Sequence, residues 1–435
     1  MPKVVFIGGG SSKFVFDVTR DLFTFPSMRG ATISLMDVDE RRMAATEALL
    51  KKMVKDLKVG ARIEATTDRR RALEGADYVI VTIMVGRFKA YALDIDIPAK
   101  YGVYQCIGDT IGPGGVFRYL RTAPVLRGLA DDVRAVAAPD CWVINYANPM
   151  AMNCWGMLDH GFDRVVGLCH SIQMVAKCIA EWVGVPFEEL VYTAGGINHV
   201  DFYLRLEHEG QDLYPRLMSV KDQVLNSGPG RDSLTSTFEL MEQLGYWAAE
   251  TGFHQTEYYP WFRKTREMGD RDYHAPFRDG FVGNLADSDT KEVLVPKMAR
   301  GEAPIDYARG VEYAAYILNA METGEPYLFY GNVRNDGLIE NLPARAVVEV
   351  PCIADRTGVV PGRVGRIPEV LAGVMQPHIA VHELAVKASI ERSRRLAAQA
   401  IMLDPLTGAL LTLPKIKAMV DEMFEANREW LSDYR

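Results

Sequence analysis

The sequence predicts an α/β fold, a doubly wound parallel sheet followed by a mixed α+β region, and three observations carry that reading. A short β-branched run, KVVFI, leads straight into Gly8, Gly9 and Gly10. Helical spacing of Phe14, Phe16, Val18 and Leu22 follows, and then a second apolar run, ATISLMDVD, which reaches Asp37. Further on, the nearly continuous apolar stretches ADYVIVTIMVG, CWVINYANPM and VVGLCHS alternate with helical segments. Such runs are expected of strands whose two faces are both covered by helices.

Strand, glycine turn, helix and acid-terminated strand together form the opening of a Rossmann-like unit, the nucleotide half of lactate and malate dehydrogenases. Glycines allow the backbone to approach a pyrophosphate, and the helix N-terminus adds N–H groups and a positive dipole. Gly8, Gly10 and Ser11 are therefore the expected phosphate contacts. Asp37 is the expected acceptor for the ribose hydroxyls, which favours NAD over NADP because a 2′-phosphate would meet a carboxylate. The fingerprint is incomplete, since Lys13 stands where the third glycine of G-x-G-x-x-G belongs. The later strands end near Val85, Asn148 and Cys169, with LVYTAGGINH as a candidate fourth strand ending near His199. Ligands of doubly wound sheets gather at such carboxyl ends.

The segment GDTIGPGGVFRYLR reads either as a flexible connection or as a glycine-rich turn leading to Arg118 and Arg121 that closes over the cofactor or orients substrate hydroxyls, with Asp109 foremost. After residue 200 the alternation fades. The expected division is a NAD-binding domain over 1–195 and a substrate-binding and oligomerisation domain over 196–435. NSGPGRD and DRDYHAPFRDG read as loops. ARGVEYAAYILNAMETG reads as a helix stopped by Gly324, and residues 378–433 as helices broken at DPLTG. LGYWAAETGFHQTEYYPWFRK crowds Tyr246, Trp247, Tyr258, Tyr259 and Trp261 with His254, Glu250 and Glu257. That is the composition of a sugar pocket and equally of an amphipathic core segment with a proline stop. GNVRNDGLIENLP, with Asn335, suits a loop that binds a polyol or the nicotinamide amide, or a plain surface turn.

Composition sets bounds. The chain has 435 residues, enough for two domains or one large one, with 48% hydrophobic and 24% charged residues. A net charge of −8 argues against nucleic acid and anionic membranes as partners. No apolar run reaches the length of a membrane span, and the N-terminus enters a strand with no charged leader. Six cysteines without a CxxC point to a reducing cytoplasm and to buried thiols rather than a disulfide framework.

Cys169 and His199 are the exception among buried soft residues. Thiolate and imidazole suit a borderline-soft transition metal, held by few enough ligands to leave positions for substrate oxygens. A cysteine nucleophile with its histidine base is the second reading, and two unrelated buried residues the third.

FIGGGSSKFV, GDTIGPGGVFRYLRT, NYANPMAMNCW, GLCHSIQ, GGINHVDFYL and YGNVRNDGLIENLP, in that order and across nearly the whole chain, resemble family 4 of the glycoside hydrolases. This is the NAD-dependent exception to the two-carboxylate scheme. Cys-His-Ser followed by an aliphatic residue is similar to the α-galactosidase branch. The 6-phospho-glycosidase branches carry an acid or amide where this chain has His170. The resemblance implies NAD and a divalent ion, usually Mn2+. It implies hydride removal from C3 of the sugar, loss of the C2 proton, departure of the glycosidic oxygen, addition of water and return of the hydride. Carried over by position, Cys169 and His199 match the metal ligands, Asn148 a substrate contact, and Gly8, Gly10, Ser11 and Asp37 the dinucleotide site. Tyr258 matches a proposed C2 base, with Tyr259, Glu250 and Glu257 as alternates, and His170 falls where other branches keep a leaving-group acid. Asp109 is expected to act in catalysis, and Arg118, His254 and Asn335 to contact substrate.

The expected partner is a small-molecule α-glycoside, and the expected assembly a cytoplasmic homodimer or homotetramer. Within the same family, α-glucosides, α-galacturonides and α-glucuronides remain as alternatives. The uronides would need a cation near C6, for which Arg87, Lys89 and Arg263 are available. A plain NAD-dependent hydroxy-acid dehydrogenase and a non-catalytic NAD- or sugar-binding module complete the alternatives.

Overall fold

The computed structural model describes residues 1–435 except for the side chain of Lys13, so the reading made of that residue lies outside the described residues. Twelve strands among them form one sheet. In chain order they are β1 Lys3–Ile7, β2 Thr32–Met36, β3 Arg62–Thr66, β4 Tyr78–Val81, β5 Trp142–Asn145 and β6 Val165–Gly167. Then come β7 Val191–Ile197, β8 Val200–His208, β9 Gln211–Asp212, β10 Tyr327–Arg334, β11 Val347–Asp355 and β12 Gly358–Pro361. The spatial order is β3-β2-β1-β4-β5-β6-β10-β11-β7-β8-β9, with β12 paired to β11.

The first six strands are all parallel, in the order of two nucleotide-binding halves. Their apolar residues carry the largest core cluster, with Val4, Val5, Phe6, Ile33, Val79, Ile80, Val143 and Ile144 fully buried. Sheet polarity changes after β6. Strand β10 runs antiparallel to it at Asn332 and Gly167, β11 antiparallel to β10, and β7 antiparallel to β11 at Glu349 and Gly196. The candidate fourth strand therefore exists, but it pairs antiparallel with β8 and β11 rather than joining the parallel set. It also straddles residue 195, so the sheet is continuous across that position. A second core cluster gathers on helix Ser171–Val183, with Tyr203, Phe238, Trp247 and Tyr330.

Several local expectations change. Strand β4 is only four residues long, because Thr82 to Gly86 leave the sheet to line a cleft. The glycine-rich segment is not a flexible connection: helix Gly112–Val136 begins inside it and is buried there. A Cβ on Gly114 would lie 2.3 Å from the carbonyl oxygen of Gly108, so glycine is what lets the helix start pack on the preceding turn. DPLTG is a short helix, Pro405–Leu410, capped by Asp404, rather than a break. A π-helical turn at Met268–Asp272 runs into the start of DRDYHAPFRDG, and helix Asp279–Arg300 starts at its end. Among the described residues no helix is long and apolar enough to cross a membrane.

Candidate active site

A cleft of about 1380 Å³ opens along the carboxyl ends of the parallel strands, from the glycine turn after β1 to the turn after β5. The N–H groups of Gly8 and Gly9 both donate to the Met36 carbonyl, which folds the turn over the end of β2. Gly8 has φ +101°, and a Cβ there would sit 2.7 Å from the Thr82 hydroxyl oxygen, so a side chain is excluded on both counts. Gly8, Gly10, Ser11 and Asp37 all line the cleft. Asp37 is already engaged: its Oδ2 accepts from Gly10 N at 2.8 Å and its Oδ1 from Asp39 N at 2.9 Å. Each oxygen keeps lone-pair capacity for a hydroxyl. The volume and the side-chain-free turn fit a dinucleotide.

At the far end of the cleft, three residues singled out from sequence come together. Asn148 Nδ2 donates to Asp109 Oδ2 at 3.0 Å, Arg118 Nε donates to the Asn148 carbonyl at 3.2 Å, and Arg118 stands 3.8 Å from Asp109. Burial alone would raise the Asp109 carboxyl. Arg118, His254 and hydrogen bonds from Asn148 and Thr110 instead carry it below the usual carboxylate range. Asp109 is thus an ionised acceptor suited to sugar hydroxyls. Arg121 does not reach the cleft, because its guanidinium is buried in a two-bond pair with Asp94 and a third bond to Asn427.

Cys169 follows β6 and His199 sits in the turn between β7 and β8, at φ +66°. Strands β10 and β11 separate β6 from β7 in the sheet, yet Cys169 Sγ lies 3.4 Å from His199 Nε2. Sequence reasoning missed the rest of this cluster as a donor set. Glu250 Oε2 is 3.6 Å from His199 Nε2 and 3.9 Å from His254 Nδ1, and Ser171 Oγ ties Glu250 to the thiol at 3.0 and 3.2 Å. Ligand atoms of His199, Glu250 and His254 all lie within 4.8 Å of one another. Burial would lower the His199 ring, but Cys169 and Glu250, with help from Asp109, carry it up to about 10. A site that forces a proton onto imidazole is one that calls for positive charge. Thiolate, imidazole and carboxylate donors fit a divalent transition metal. His254, expected to touch substrate, belongs by position to this cluster.

Tyr258 Oη lies 2.7 Å from His199 Nδ1 and 3.1 Å from His254 Nε2, and burial holds its hydroxyl well above the ordinary phenol range. His170 faces another way: its Nε2 meets Glu312 Oε2 at 3.0 Å and its ring stacks on Tyr146, a cleft residue. Glu312, unremarked in the sequence, is held in turn by its N–H bonding to Asp21. Behind His199 lie Asp201 and Glu349, both buried. Burial raises both, reinforced by the charge of Glu349 on Asp201 and of Glu250 on Glu349, and Asn198 donates to Glu349 at 3.0 Å.

Asn335 does not reach the site. It is fully buried, its amide donates to the carbonyls of Ile339, Leu342 and Pro343, and its oxygen accepts from Ile339 N. An amide that closes its own loop four times has nothing left for a sugar. The aromatic sugar platform is also revised, since Trp247 and Tyr259 are core residues.

Residues 3–185 match the family model described as Family 4 glycosyl hydrolase, and residues 194–407 the one described as Family 4 glycosyl hydrolase C-terminal domain. An α-galactosidase of Bacillus subtilis (strain 168) is 35% identical over 438 residues, covering 100% of both chains. An α-galactosidase of Rhizobium meliloti (strain 1021) is 35% identical over 454 residues, covering 99% of this chain and 89% of its own. Of solved structures, a putative glucosidase from Bacillus subtilis has a TM-score of 0.88 at 26% identity, covering 97% of this chain and 99% of its own. A 6-phospho-α-glucosidase from gut microorganisms, solved in complex with NAD and Mn2+, has a TM-score of 0.82 at 21% identity, covering 98% of each.

Proposed function

Because this chain belongs to the family 4 glycosyl hydrolases, we propose that it hydrolyses α-galactosides with NAD+ and a divalent ion, Mn2+ foremost. The observation that carries the reading is the Cys169–His199–Glu250–His254 donor set, coupled through the charge of Asp109 to a cleft that fits a dinucleotide. A plain hydroxy-acid dehydrogenase has no use for such a set.

When bound, NAD+ would supply a hydride acceptor restored within each turnover, and the ion a Lewis acid for the C2 and C3 oxygens. The chain's own residues do the rest. The turn at Gly8 and Gly10 admits the pyrophosphate. Asp109, Asn148 and Arg118 orient hydroxyls at the mouth of the donor set. Tyr258 takes the C2 proton. With His199 Nε2 and His254 Nδ1 turned toward Glu250, rings left neutral by ion binding would carry their hydrogens on His199 Nδ1 and His254 Nε2. Both of these face Tyr258 Oη, and two N–H donors favour phenolate over phenol, against the effect of burial. His170, steadied by Glu312, serves the leaving oxygen.

A neutral sugar is favoured over a uronide or a 6-phosphosugar because the cations available from sequence are already committed. Arg263 is fully buried, bonded to Thr256 Oγ1 and to the carbonyls of Tyr104 and Ala275. Arg87 pairs with Glu292 and Asp39, and Lys89 with Glu429. Residues 1–195 then carry the glycine turn and Cys169, and residues 196–435 complete the donor set along the same sheet. Six free cysteines, one of them a thiolate ligand, suit the cytoplasm, and the assembly implied by the family resemblance is a homodimer or homotetramer. The test is a panel of para-nitrophenyl α-glycosides, uronides and 6-phosphosugars assayed with NAD+, Mn2+ and a thiol reductant. A uronide or 6-phosphosugar turned over faster than the α-galactoside would overturn the substrate reading.

A further inference from the structure

Helix Asp279–Arg300 packs along helix Glu40–Leu57 and lines the cleft near Asp37, the ribose end. From it Glu292 projects into three guanidinium groups, 3.0 Å from Arg87, 3.5 Å from Arg42 and 3.8 Å from Arg41. Arg87 also reaches Asp39 at 3.5 Å. The cluster adjoins the glycine turn, since a Cβ on Gly10 would meet Arg42 Cβ at 3.0 Å and Asp37 Oδ2 at 2.9 Å.

Two further observations mark this as a built anion cradle. Gly86 and Arg87 are both left-handed, at φ +79° and +49°. A residue with a Cβ adopts that conformation only at a steric cost, so the fold holds the Arg87 side chain here against strain. Burial and the charge of Arg87 hold Arg42 below the ordinary guanidinium range, which is the signature of like charges crowded together. Asp37, Asp39 and Glu292 offset them.

We propose that Glu292 is a cofactor-specificity residue: its carboxylate occupies a cradle of Arg41, Arg42 and Arg87 that would otherwise accept the 2′-phosphate of NADP+. This rests on the dinucleotide reading of the cleft. The discrimination that sequence alone assigns to Asp37 is thereby shared, because both Asp37 oxygens already accept backbone N–H groups. Arginine at the end of the second strand is the usual partner of a 2′-phosphate, and its planar fork matches phosphate oxygens. With Glu292 in place the three positive charges are balanced and a phosphate meets a carboxylate. With Glu292 neutral, the cradle carries net positive charge at the point where the added phosphate would lie.

The experiment is direct binding of NAD+ and NADP+, by calorimetry or nucleotide fluorescence, to the full chain and to Glu292→Gln, with no substrate present. Glu292 is half-exposed, so the isosteric amide leaves packing intact. NADP+ binding should tighten by about tenfold or more in Glu292→Gln, while NAD+ binding moves by less than about threefold. Adding Arg42→Met to that variant should remove the gain. Unchanged NADP+ affinity in Glu292→Gln, or equal weakening of both dinucleotides, overturns the proposal and reduces Glu292 to a fastener for its helix. Failure of the unaltered chain to bind either dinucleotide would sink the cofactor reading and this proposal together.

Discussion

Tyr258 Oη lies 2.7 Å from Nδ1 of His199, on the side of the imidazole turned away from Cys169. One ring nitrogen thus serves the donor set and the other the phenol, which fixes both the tautomer and the ring's aim. Tyr258→Phe should lower kcat by about 10²–10⁴, the range for loss of a general base, with KM nearly unchanged. Bound Mn2+, measured by atomic absorption, should stay within about 100-fold of the parent affinity. Full activity in that variant would transfer the base to another residue.

The thiol ligand makes its own prediction. Cys169→Ser should lose metal and activity together while its circular dichroism stays that of the parent. Chelator should abolish turnover in the parent and Mn2+ restore it. Oxidation of the thiol should inactivate as well, because only thiolate is a good donor. A chelated, metal-free preparation that remains fully active removes the cluster from the mechanism.

Hydride and proton leave different carbons, and isotopes separate them. Turnover in D2O should place deuterium at C2 of the released sugar and none at C3. The reaction should require NAD+ yet accumulate no NADH in proportion to product. Product without deuterium at C2, read by NMR, would mean direct displacement at C1.

Engagement of Arg263, Arg87 and Lys89 predicts sugar selectivity. The para-nitrophenyl α-galactoside should exceed the α-galacturonide in kcat/KM by about tenfold or more, a difference of about 1.4 kcal/mol in transition-state binding. The reverse order would show that a committed arginine is released on binding.

His378 and His382, one turn apart on helix Glu369–Glu391, are buried, and burial pushes their rings down to about 4 and about 3. Unfolded, both titrate near ~6.5. Between these values unfolding takes up protons, so their contribution is fully present above about pH 6.5 and is lost as pH falls toward 4 and then 3. Each accounts for a loss on the order of 3–5 kcal/mol across that window. His382→Leu should flatten the fall of Tm between about pH 6 and 4. An unchanged slope would show that other groups govern acid unfolding.

The parallel half of the sheet was legible because each strand there is a local apolar run punctuated by glycine or an acid, and order follows from alternation. The antiparallel extension was not, since β10 joins β6 through Asn332 and Gly167, 165 positions apart, and periodicity does not name partners. Cys169 and His199 could be singled out together because each ends an apolar run. Glu250 and His254 could not, because they sit in a stretch whose aromatics dominate its pattern and whose acids have no helical or strand register. Asn335 misled for a physical reason: an amide in a tight polar loop bonds the loop's own backbone as readily as a ligand.

The insertion of β10 between β6 and β11 bears on how such a gene can change over time. Cut between its two family segments, the first fragment would end on a bare β6 edge and the second would leave β10 unpaired on its β6 side, and unpaired edges invite aggregation. Recombination that exchanged halves between diverged relatives would set one parent's β6 against the other's β10. The sheet is therefore inherited whole.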